Sequence, residues 1–308
     1  MVGILKKSGS LAQDEFNKRI RRSRQKNIAS SVFLYVVLAL FTFMVLVPLL
    51  LAIIFSFKTK DDFANRPAYA FPSQFYWQNY VNAWVDAKMG TYLGNTILIT
   101  VFSLALLLVI SVPCAYVLGR YQFRGKRILS ALMLAGIFIN VNYIVIPIYT
   151  MINSVSDALG IVGLANTPVM VVIIYASTAV SFSVYLMQGF FSGLSPSFEE
   201  AALIDGCGYF RLLVRIIAPL AMPSILIVLL FNFLKFWNEY LIANTFLIDP
   251  EYYTLSKGLL TLMHQDRAEN DTGRMFAGLT IVMLPTVIFY AAVQDQLIKG
   301  LTIGGGKE

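Results

Sequence analysis

The residues of this 308-residue chain that could do chemistry are few, and the most conspicuous sit inside an apolar run. Lys235 and Glu239 lie four positions apart there, among Asn232, Trp237, Asn238 and Tyr240. Charged groups in such a run are costly, so they face a cavity, a water path or a partner charge. Three readings fit these residues. They could form a path for a hydroxyl-rich solute, in which aromatic rings cover apolar faces while amide and carboxylate groups bond hydroxyls. Lys235 and Glu239 could simply neutralise each other on one helix face. The same pair could also relay a proton or ion across a membrane.

Other chemistries find little support. Cys114 and Cys207 show no metal-ligand spacing, and the single His264 has no companion ligand nearby in sequence, so packing and surface roles are expected for them. No Ser/His/Asp arrangement can be assembled, and no metal site is expected. The phosphate-cradling pattern Gly-x-x-x-x-Gly-Lys-Ser/Thr is absent, because Gly125-Lys126 and Gly306-Lys307 lack the leading glycine and the following hydroxyl. No cofactor is expected on this chain, and any nucleotide chemistry must come from a separate protein.

The elements that position these residues are membrane helices. The chain is 57% hydrophobic and 13% charged, against about 25% charged for soluble domains. A bilayer core of roughly 30 Å takes about 20 apolar residues in a helix. Six stretches meet that length: Ser31–Phe57, Thr91–Gly119, Ile128–Ile152, Pro168–Phe191, Pro219–Leu247 and Met275–Gln294. The first is too long for a signal peptide and lacks a small-residue cleavage site. The expected class is therefore an all-α integral membrane protein with six transmembrane helices. Residues 1–30 form a basic segment, 31–298 the membrane domain and 299–308 a Gly-rich tail.

Sixteen Lys and Arg fall on one side of this layout, eight of them before Ser31, against seven on the other. Positive charge is retained in the cytoplasm, so both termini are expected to face inward. The net charge of +7 then calls for membrane lipid rather than nucleic acid. Outside, Lys58–Gly90 is rich in aromatic residues, as expected of an interfacial belt, and Asp249–Asp271 is acidic.

The fourth connection, 192–218, is long for a loop between two spans. Ser195 can cap a helix, Pro196 suits its first turn, and Glu199 and Glu200 place negative charge at the positive end of its dipole. Gly206 and Gly208 permit a sharp turn. A second arm then carries Phe210, Leu213, Val214 and Ile217 at helical spacing, before Pro219 opens the next span. Such an elbow is suited to transmitting force, although a plain amphipathic re-entry helix gives the same pattern.

These residues resemble a family signature. Glu200-Ala201-Ala202, three residues, Gly206, nine residues, Ile216, one residue, then Ala218-Pro219 is similar to the EAA motif of bacterial ATP-binding-cassette importer permeases, with Ala218 where leucine is usual. The tail Lys299–Glu308 and the segment Phe233–Tyr240 resemble the MalG-like branch of carbohydrate importers, as does Trp77–Trp84 before the second span. With the six spans, the resemblance covers nearly the whole chain. It implies the type I ABC importer permease fold with a cytoplasmic coupling helix. It implies ATPase coupling through Glu199, Glu200, Ala201, Ala202, Asp205, Gly206, Ile216 and Pro219, and tail contacts through Gly304, Gly305, Gly306 and Lys307. Asn232, Trp237, Asn238, Glu239 and Tyr240 become the expected substrate path. The implied partners are a MalF-like second permease subunit, an ABC ATPase dimer that holds ATP and Mg, and an extracytoplasmic solute-binding protein. A sugar is the implied cargo, and the bacterial cytoplasmic membrane the implied location.

Overall fold

The computed structural model describes residues 31–305, apart from Ala68 and Asn270, with side chains to Gln294 except that of Ala268. It divides into a first unit ending at Phe55 and a second beginning at Ser56. The described part of the first unit is one uncharged helix, α1 (Ser31–Phe55), whose most apolar window has a mean hydropathy of 3.0.

The second unit opens with two short helices, α2 (Lys60–Asn65) and α3 (Gln78–Val85). Asn79 on α3 is buried and donates to the carbonyls of Ser56 and Lys58, each at 2.9 Å, which ties α3 to the segment entering α2. Helix α4 (Met89–Arg120) follows; its 32 residues span about 48 Å at 1.5 Å per residue, more than a bilayer core requires. Its main neighbour is α7 (Pro168–Gly193), where Thr167 caps the first turn and Pro168 occupies the first helical position. Small side chains let these two helices approach. Ser111 and Ala115 on α4, and Ala176, Ala179 and Ser183 on α7, are fully buried.

Two of the six expected spans are broken. In place of one helix over Ile128–Ile152 there are α5 (Lys126–Ile137) and α6 (Val141–Leu159), bent by 105°. The break comes from Asn140, whose side chain accepts the Asn142 N–H at 2.9 Å and starts a new helix within the apolar run. In place of Pro219–Leu247 there are α11 (Met222–Trp237) and a short α12 (Leu241–Phe246), separated by Asn238–Tyr240. Of the other expected spans, three lie within α4, α7 and α14 (Thr272–Gly305) as single helices, and the first, Ser31–Phe57, outruns α1 by two residues.

The acidic segment Asp249–Asp271 contains α13 (Leu255–Glu269), and its carboxylates are largely engaged within the chain. Asp266 pairs with Arg274, and Asp271 with Lys60 at 3.2 Å. Burial pushes the Asp266 carboxyl above its ordinary value, against the pull of Arg274. Lys257 is buried beside the Tyr253 ring and donates to the carbonyls of Asn244 and Leu247. It stands at the C-terminal end of α12, where a cation is favoured, although burial lowers its pKa.

Gly258 on α13 lies so close to α4 that a β-carbon would overlap the Tyr92 ring. Gly258→Ala must displace that ring, and overpacking of this kind costs about 1–3 kcal/mol. Thermal unfolding in detergent should register the loss, and an unchanged midpoint would show that the cluster of Tyr92, Trp237 and Leu255 repacks freely.

Candidate functional site

The expected elbow is present. Ser195 Oγ accepts the Ser197 N–H at 3.4 Å, and α8 (Ser197–Ile204) begins with Glu199 and Glu200 in its first turn. Its exit is a Schellman turn. The Gly206 N–H reaches the Leu203 carbonyl at 3.1 Å, and the Cys207 N–H reaches that of Ala202 at 2.9 Å. Gly206 stands at φ +74°, a conformation that disfavours residues with a β-carbon.

The second arm is α9 (Tyr209–Leu212), a π-helical turn over Leu213–Ile217, and α10 (Ala218–Leu220). Pro219 has no N–H to return to the preceding turn, while the Ala218 N–H reaches five residues back to Leu213. The arm then bends by 78° into α11. This geometry corrects the expected apolar face. Leu212, Leu213 and Ile217 are buried, whereas Phe210 and Val214 are exposed.

One ionic contact fixes α8 to the membrane helices. Glu199 accepts from Arg120 through Nε at 2.8 Å and Nη2 at 3.2 Å, and from the Tyr116 hydroxyl at 3.0 Å. Arg120 also donates to the Leu194 carbonyl at 2.8 Å. Both charged side chains are largely shielded, at 11% and 19% exposure, and the forked geometry belongs to the stronger class of ion pairs. Ala202 adds an apolar anchor among Phe191, Leu212 and Ile217.

The expected coupling residues therefore divide. Glu199 and Ala202 face the chain itself, and Ile216 is half-buried. Glu200, Ala201, Asp205, Gly206 and Pro219 are exposed. Exposed with them are Leu203 and Ile204, the latter at 86%, which sequence reasoning passed over as ordinary helix residues. Arg120 and Tyr116 were missed as well. The only available signal was a basic residue at the end of a span, which membrane topology already explains.

The polar cluster of the fifth span does not assemble as one site. Asn232 is buried and donates to Ser183 Oγ at 3.0 Å and the Val228 carbonyl at 2.8 Å. Trp237 is 4% exposed and stacks on Phe233. Glu239 caps α12, accepting from the Ile242 and Ala243 N–H groups at 2.8 and 3.2 Å and from the Tyr175 hydroxyl at 2.8 Å. Lys235 instead donates to the Thr178 carbonyl at 3.2 Å. Among the described residues no ion pair joins Lys235 to Glu239. Asn238 and Tyr240 are exposed. Of the expected tail residues, Gly304 and Gly305 end α14, while Gly306 and Lys307 lie outside the described residues.

Removing the Glu199 charge leaves Arg120 with only a carbonyl and weak acceptors. Glu199→Gln is expected to cost about 1.5–3 kcal/mol and to speed amide exchange across 197–205. Arg120→Lys keeps the charge without the fork and should fall between the two. Exchange unchanged in Glu199→Gln would mean that Ala202 packing alone holds α8.

Comparison with known proteins agrees with this architecture. Residues 111–302 match the family described as binding-protein-dependent transport system inner membrane component. The diacetylchitobiose uptake system permease protein NgcG of Streptomyces coelicolor is 30% identical, over 88% of this chain and 87% of that protein. The melibiose/raffinose/stachyose import permease protein MelC of Bacillus subtilis is 28% identical, over 94% and 100% respectively. In fold, the chain superposes with a TM-score of 0.72 on a chain of a bacterial ABC transporter that imports the acidic polysaccharide alginate, at 24% identity and covering 86% of this chain and 95% of that one. With more than half of its length matched by the family and a 30% identical relative covered over 87% of its length, the chain belongs to the binding-protein-dependent inner membrane permeases of ABC importers.

Proposed function

We propose that this chain is one of two permease subunits of an ATP-driven importer for a sugar of oligosaccharide size, and that α8 is the part gripped by the motor. The observation that carries this reading is the division of the elbow. An outward face of Glu200, Ala201, Leu203 and Ile204 is open to a partner, while Glu199 and Ala202 lock the other face to α4 and its neighbours. A rigid body held in this way passes force on rather than absorbing it.

The partner for that face is an ABC ATPase dimer, which holds ATP and Mg; this chain lacks the phosphate-loop pattern. A second, MalF-like permease subunit completes the pore, and an extracytoplasmic binding protein delivers the sugar to the aromatic outer end. Both termini face the cytoplasm of a bacterial cell, in keeping with the excess of Lys and Arg on their side. The tail residues Gly304, Gly305, Gly306 and Lys307 add a second contact with the ATPase. When the ATPase subunits close, α8 moves with them, Arg120 carries the displacement into α4, and the close α4 and α7 pair rocks with it. On the substrate path, Asn238 and Tyr240 are the side chains open to a sugar, whereas Asn232, Trp237 and Glu239 form its supporting wall. A sugar cargo is supported by the saccharides in the relatives' names.

Two experiments on the assembled complex test this. Cysteines replacing Glu200 or Ile204 should crosslink to the ATPase, whereas one replacing Glu199 should not; equal capture at all three would overturn the division. A β-carbon residue at Gly206 carries a left-handed backbone penalty of about 1–2 kcal/mol, which shifts the elbow's population about tenfold. In reconstituted vesicles Gly206→Val should therefore hydrolyse ATP while uptake falls, and normal uptake would refute the lever.

A further inference from the structure

A cavity of about 450 Å³ opens between α4 and the second arm of the elbow. Pro113, Tyr116 and Val117 form its α4 wall, and Tyr209, Phe210 and Leu213 form the opposite wall. The floor is apolar, yet Phe210 is 81% exposed and Tyr209 67%, so among the described residues no side chain fills the groove. Groups of this kind, left open at the end of a membrane helix, favour an occupant from the bilayer.

Apart from Glu199, which is paired with Arg120 and Tyr116, the charges carried by the two segments that flank the groove have one sign. Every charged residue in 120–127 and 209–215 is basic: Arg120, Arg124, Lys126, Arg127, Arg211 and Arg215. Arg120 is neutralised by Glu199, which leaves five. Lys126 Nζ donates to the carbonyl of Tyr121, itself a lining residue, at 3.0 Å, so an ammonium stands at the mouth of the groove with donors to spare. Arg211 adjoins Phe210 on the other wall and is exposed. The groove also runs inward. Pro113 is seven residues before Arg120, about 10 Å deeper along α4. An acidic protein surface could meet the rim, but only a molecule with a slender apolar part can follow the groove downward from it.

We propose that this groove binds an anionic phospholipid of the leaflet at the basic end, with one acyl chain between α4 and the second arm and the phosphate on Lys126 and Arg211. The Tyr116 ring lines the groove while its hydroxyl donates to Glu199, so an occupied groove braces the contact that holds α8. Binding does not depend on the importer reading. Its effect on uptake does, because that effect runs through α8.

Native mass spectrometry of the delipidated full complex, with phosphatidylglycerol or phosphatidylcholine added back, tests the site. Each basic side chain near an anionic surface is worth about fivefold in affinity, so Lys126→Ala with Arg211→Ala should weaken phosphatidylglycerol retention by about 30-fold at low salt. Lys126→Arg with Arg211→Lys should restore it. Val117→Trp, which fills the groove from α4, should exclude the lipid while the rim charges remain. Three results would overturn the proposal: equal retention of both lipids, retention unaffected by the double alanine variant, or binding by the isolated chain that vanishes when the second permease subunit is present. If the lipid binds as expected but uptake is insensitive to it, the site stands and the lever reading fails.

Discussion

The contact between Glu199 and Arg120 decides what the elbow can do. A short helix joined to the membrane domain only by loops would move independently, since an eight-residue helix has little stability of its own. Here the carboxylate takes two guanidinium N–H groups and a tyrosine hydroxyl in a partly shielded setting, where charge-assisted hydrogen bonds are strongest. Its partners lie near the end of α4, the helix that packs along α7. The elbow is thereby joined to the central helix pair of the unit.

The same economy of polar groups shapes the interior. A bilayer supplies no hydrogen-bond partners, so each break in a membrane helix must be repaired from within the protein. Asn140 repairs the turn between α5 and α6, and Glu239 repairs the one between α11 and α12. Lys257 completes the second repair from the far end of α12, so this six-residue helix is held by a carboxylate at its positive end and an ammonium at its negative end. Seen in this way, Glu239 is first a structural cap, and the aromatic and amide groups beside it inherit their positions from that cap. Asn238 and Tyr240 remain exposed because they sit in the break that Glu239 maintains.

The two ends of the second unit differ in what holds them. At the basic end an ion pair and apolar packing meet around an open groove; at the other end stand a buried ion pair, a buried lysine and close glycine contacts.

Length and apolar composition mark this chain as one that crosses a membrane, because burying a charged or unpaired backbone group in hydrocarbon is costly. The elbow was legible for a similar reason: Gly206 and the capping residues announce local backbone geometry, which depends on near neighbours alone. Only the tertiary structure decided which of two adjacent carboxylates turns inward and how the break at Asn238–Tyr240 is held. Those choices depend on groups about 60 to 80 positions away, as when Arg120 meets Glu199 or Tyr175 meets Glu239. Periodicity carries no record of such contacts, since an apolar run reads alike whether it continues or turns upon a distant partner.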